Sequence, residues 1–112
     1  MRNQTIRVNI ANTEILNKRR AAITKFMEVY AKSIDWAYSN PQAIEIFAKN
    51  MKVPVAVAKQ AVDEFYPKSA MQMGEIRDLD RTLKDALDAK FIPSPKTAKD
   101  VEGMIDIVYK PK

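Results

Sequence analysis

Four carboxylates crowd one short stretch of the second half of the chain: Asp78, Asp80, Asp85 and Asp88. On a helix, oxygens at such intervals can gather around a hard cation. The spacing is not that of an EF-hand loop, and cations are interleaved with it. Arg81 stands four before Asp85, and Asp80 four before Lys84, so the expected use is a solvated face laced by ion pairs. Histidine and cysteine are both absent. That removes Ser-His triads, thiolate chemistry, disulfides and the usual zinc and non-haem iron ligand sets. The two glycines, Gly74 and Gly103, stand far apart and build no phosphate-cradling loop. A non-enzymatic chain is expected, with no catalytic, cofactor-binding or metal-ligating residue, and with no ligand-binding residue assignable.

Other residue types could serve binding. Phe26, Tyr30, Trp36, Tyr38 and Phe47 could line a pocket, but they fall at helical intervals, where core packing is the commoner use. Met71 and Met73 flank a loop and suit gap-filling. Lys18-Arg19-Arg20 is the only tight basic run in a chain of net charge +5. It lacks interleaved aromatics on which bases would stack, so a charged helix end is expected there and no nucleic-acid partner.

The elements that must hold these residues follow from pattern and punctuation. Thr5 to Ala11 alternates Ile6, Val8 and Ile10 with Arg7 and Asn9, which predicts one β-strand. Asn12-Thr13 breaks it and can cap a helical turn through Leu16. A long helix is predicted over about Arg19 to Ser39. One of its stripes is Ile23, Phe26, Met27, Tyr30, Ile34 and Tyr38; a second is Ala22, Val29, Ser33 and Trp36. Two apolar stripes imply packing on two sides, which would bury Trp36. Glu28 and Lys32 pair on what remains.

Asn40-Pro41 caps and opens a helix with Ile44, Phe47, Ala48 and Met51 inward. Pro54 opens another, carrying Val57, Ala58, Ala61, Val62 and Phe65, and Pro67 stops it. Residues 68–74 read as a loop. Asp78 caps the next helix, with Leu79, Leu83, Ala86, Leu87 and Phe91 inward, and Ile92-Pro93-Ser94-Pro95 is extended. Thr97 and Asp100 form a capping box for a last helix that packs Val101, Met104, Ile105 and Val108. The fold class expected is mainly α: a single domain over 1–112, with the strand at 5–11 and about five helices in a compact bundle across 13–109.

A length of 112 residues suits one domain, and 46 % hydrophobic with 29 % charged residues suits a folded one. No signal peptide or membrane span is evident, so the chain as written is expected to be soluble and cytoplasmic.

The order of features from Val8 onward resembles the C-terminal part of the nitrate/sulfonate/taurine-type substrate-binding proteins of ABC importers. The matching stretches are Val8 to Asn12, then Ala21 to Pro41 ending in Ile34-Asp35-Trp36-Ala37-Tyr38-Ser39-Asn40-Pro41. Ala43 to Ala48, Leu79 to Leu83 and Ala89 to Pro93 follow. The specificity lies in the ordered set, which covers nearly the whole chain. The resemblance implies a fragment of a periplasmic, two-lobe α/β protein: its last crossover strand and the helical end of one lobe. It implies a small solute as ligand only in the intact protein, contacts to that solute made mainly by the other parts, and an importer permease as partner. The alternative is a stand-alone helical interaction domain, a homodimer joined through the N-terminal strand.

Overall fold

The computed structural model describes residues 4–5, 7–71 and 73–111. Its elements are α1 (Thr13–Lys18), α2 (Arg20–Ser39), α3 (Pro41–Met51), α4 (Val55–Phe65), a 3-10 turn (Lys68–Met71), α5 (Leu79–Asp88), α6 (Ala98–Val101) and a second 3-10 turn (Glu102–Met104).

Local chemistry sets most of these boundaries. The Asn12 side chain accepts from the N–H groups of Glu14 and Ile15 at 2.9 and 3.3 Å and starts α1. Asn40 accepts from Gln42 N–H at 3.0 Å with Pro41 in the first helical position, so one dipeptide ends α2 and starts α3. Lys52 takes a left-handed conformation (φ 56°) and closes α3. Thr97 N–H donates to Asp100 at 2.7 Å, the reach-back of the capping box that opens α6. Asp78 does stand at the cap of α5, but in a left-handed conformation and with no side-chain cap bond. Its carbonyl accepts from the Thr82 N–H and hydroxyl instead.

Helix α2 is the spine. It packs on α3, α3 packs on α4, α1 joins the start of α2, and the first 3-10 turn packs against α2. Helix α5 packs on α6. Arg77 ties the N-terminal segment to the first 3-10 turn: its N–H donates to Thr5 Oγ1 at 2.8 Å and its guanidinium to the Ser69 carbonyl at 2.7 Å.

Three expectations need correction. The N-terminal β-strand is not formed: no strand occurs among the described residues. Ile6 lies outside them, but Arg7 to Ala11 are exposed and irregular. An alternating pattern marks one apolar face; it does not supply the neighbouring strand whose backbone completes a ladder. Among the described residues the one backbone bond to the segment is Thr5 N–H to the Arg77 carbonyl, at 3.2 Å.

The last helix is also shorter than expected. It ends at Val101, the chain makes a 3-10 turn, and residues 105–111 run without regular structure. Gly103 and the β-branched run Ile105, Ile107 and Val108 weaken a helix there.

Finally, the bundle is open. The accessible surface is 9111 Å², whereas a folded monomer of this mass exposes about 6,300 Å². The Cα radius of gyration is 16.5 Å, against about 13 Å for a compact chain of this length. Among the described residues the buried ones are Ala31, Ala48 and Ala58, all alanine. They mark where helices touch through their smallest side chains, while large apolar ones such as Ile10, Phe65, Phe91 and Met104 are more than half exposed.

Candidate functional site: two uncovered apolar faces

The carboxylates of α5 do not gather. Arg81 Nε binds Asp85 at 3.0 Å, as the spacing predicts, while Lys84 pairs with Asp88 rather than Asp80. Asp80 accepts from Ala98 N–H at 2.6 Å and so pins the start of α6 to α5. The Gln4 amide and then Arg81 hold the Asp85 carboxyl below its ordinary range. Among the described residues no group of three or more acidic side chains is placed to hold a metal ion.

Two residues of the basic run are engaged within the chain. Lys18 reaches Glu14 at 2.6 Å, and Arg20 grips Asp106 with two nitrogens at 2.6 and 2.7 Å. This fork lowers the Asp106 pKa and raises that of Arg20. On α2, Glu28 sits between Lys32 at 2.7 Å and Lys25 at 2.9 Å. Hydrogen bonds from these ammonium groups pull its pKa from 4.5 to about 2.

The aromatic set divides. Phe26 and Tyr30 stack with centroids 6.2 Å apart, and the Tyr30 hydroxyl accepts from Arg7 at 3.2 Å. Tyr38 and Phe47 line a groove. Trp36, expected in the core, is 46 % exposed. The two-stripe pattern of α2 is real, but its partners differ from those expected. Ile23, Met27, Ala31, Ile34 and Tyr38 turn towards the rest of the molecule. Ala22, Phe26, Val29, Ser33 and Trp36 recur at i, i+4, i+7, i+11 and i+14 and all lie exposed. Phe26 therefore belongs to the outer stripe, not the inner one. This stripe runs about 21 Å along the helix. Ser33 adds little polarity to it, because its hydroxyl donates back to the Val29 carbonyl at 2.9 Å.

The second face is a groove of about 840 Å³ where the end of α2 meets α3 and α4. Tyr38, Ile44, Phe47, Met51, Val62 and Tyr66 give it an apolar floor, with Arg7, Glu45, Lys59 and Asp63 around it. The Tyr38 hydroxyl donates to the Tyr66 carbonyl and so braces α2 against the end of α4. Burial pushes the Tyr38 phenol up, and Arg7 offsets part of that rise. Sequence reasoning named Tyr38 and Phe47 but missed the groove as a whole. Its lining comes from separate elements that no single periodicity links.

No protein-family model matches the chain, and neither the curated proteins nor the solved structures yield a match. Among the described residues no helix is long and apolar enough to cross a membrane.

Proposed function

We propose that this chain is the helical part of the solute-binding component of an ABC-type importer for a small anion or sulfonate-like solute, with no catalytic role. One observation carries the reading: the outer stripe of α2, with Phe26 59 %, Val29 51 % and Trp36 46 % exposed. A helix with two apolar faces belongs between two layers. The inner face of α2 meets α3 and the first 3-10 turn; the outer face is left about half exposed by the described residues. In a two-lobe α/β protein a sheet would take that place. The ordered resemblance from Val8 to Pro93 supports the same assignment, and the importer permease enters as a partner on the same ground. Solute contacts would come mainly from the two lobes, so none is placed on residues of this chain.

The test is association in trans. The chain is co-expressed with the two-lobe portion of a taurine- or nitrate-binding protein that lacks its own helical end. Co-purification is expected, and its loss when Phe26 and Val29 are both changed to Asp. Both residues are exposed, so the variant chain should keep its helical circular dichroism. A helical wild-type chain that never co-purifies would contradict the assignment.

A further inference from the structure

The chain beyond α6 is fastened at two points. Near its start, Asp106 is gripped by the Arg20 guanidinium at 2.6 and 2.7 Å. Near its end, Lys110 and Pro111 pack on Gly74, where an added Cβ would stand 3.6 Å from Pro111 Cδ. Pro111 also walls a cavity of about 400 Å³ with Ala31, Ile34, Met71 and Met73, beside the Lys68–Asp35 ion pair. Between the two points Val108 and Tyr109 are half-buried. Arg20, Ala31 and Ile34 share one side of α2, away from Phe26 and Trp36.

Among the described residues only side chains hold this tail. The last backbone hydrogen bond before it is Ile105 N–H to the Glu102 carbonyl, at 3.1 Å, and residues 106–111 make none. The tail is also drawn out. From Arg20 to the level of Ala31 and Ile34, α2 rises about 17–21 Å. From Asp106 to Pro111 the chain spans at most about 18 Å, so it has little slack. We infer that residues 105–111 are a detachable strap, hinged at the 3-10 turn Glu102–Met104, whose release opens the cavity beside Ala31 while the helices stay packed. Segments with few backbone bonds and little buried surface are the ones that open below the global unfolding cost. Freeing either end of a taut segment loosens the whole of it. The strap lies off the outer stripe of α2, so this inference stands apart from the importer assignment.

The chain has no cysteine, so a single introduced thiol reports opening. Ala31→Cys places one at the cavity. Ala48→Cys places a reference thiol on α3, which packs on α4. Ala31 and Ala48 are both buried, and cysteine suits such positions. Alkylation of the full chain by iodoacetamide, an uncharged reagent, followed by mass spectrometry gives a rate that tracks the open population.

In the Ala31→Cys chain, adding Asp106→Asn is expected to speed labelling about two- to fivefold, the weight of an exposed ion pair. Adding Gly74→Val instead should speed it about tenfold, because its methyl groups would crowd Pro111 and Lys110. Raising the salt should speed labelling while Asp106 is present and have little effect after Asp106→Asn. Asp106→Asn keeps the side-chain shape, so it reads the fastener without repacking. Labelling of Ala48→Cys, and helical circular dichroism, should not respond to either substitution. A rate at Ala31→Cys that ignores both substitutions would overturn the inference. So would equal acceleration at the two thiols, because the cavity would then open only when the helices themselves part.

Discussion

Trp36 is the only tryptophan in the chain, and truncating it reports on the outer stripe of α2 directly. A fully buried Trp changed to Ala costs about 3–5 kcal/mol. Here 46 % of the residue is exposed. A Trp side chain offers roughly 150–250 Å², so the covered fraction is roughly 80–135 Å². At about 25 cal/mol per Å² that is about 2–3 kcal/mol. Ala keeps its Cβ contacts, and the unfolded chain already covers part of the ring, which leaves about 1–2 kcal/mol for Trp36→Ala. Urea melts followed by far-ultraviolet circular dichroism measure it without using the ring as the probe. The m-value should stay unchanged. In the wild-type chain at low concentration, tryptophan emission should be red-shifted and readily quenched by acrylamide. A loss of 3 kcal/mol or more, with a blue, protected emission, would refute the reasoning, because the ring would then sit in a closed core of the chain itself.

Other outcomes follow from the same geometry. Ala58 is 1 % exposed on α4, which packs on α3, so Ala58→Leu should overpack that contact and cost about 1–3 kcal/mol in the same melts. Asn40→Ala removes the side-chain cap of α3 and should cost about 1 kcal/mol, while Asn40→Gly should cost only a few tenths. The Glu28 carboxyl should titrate near pH 2 by NMR, because Lys32 and Lys25 hold it below its ordinary 4.5. Its folded pKa is depressed, so any stability it adds is present above about pH 4.5 and lost as pH falls towards 2. An ordinary midpoint would mean that the two lysines do not hold it.

What the sequence made legible was mostly local. Asn12, Asn40 with Pro41, Pro67, and Thr97 with Asp100 each act within a few residues, and each marks a boundary where the structure has one. The two apolar stripes of α2 were also legible. What covers a stripe is not written in its period, and this is why Trp36 was expected inside and lies outside. Thr5 to Ala11 shows the same limit for a strand: alternation sets which side chains share a face, whereas a ladder needs a second backbone at the right distance. Arg81–Asp85 and Glu28–Lys32 were readable because helical spacing decides them. Lys84 had carboxylates four residues away on both sides, Asp80 and Asp88, and the choice fell to Asp88 because Asp80 is engaged by Ala98 N–H. The groove draws on Arg7, α2, α3, α4 and Met71, residues brought together only by tertiary packing.

The central claim is that the outer stripe of α2 joins this chain to the two lobes of a solute-binding protein. The most direct measurement is calorimetric titration of taurine, nitrate and an alkylsulfonate in three samples: the chain alone, the two-lobe portion alone, and the co-purified pair. If the claim holds, the pair binds one of these solutes, the chain alone binds none, and changing Phe26 and Val29 to Asp abolishes the gain. Tight binding by the chain alone, or a pair no better than the lobes by themselves, would contradict it.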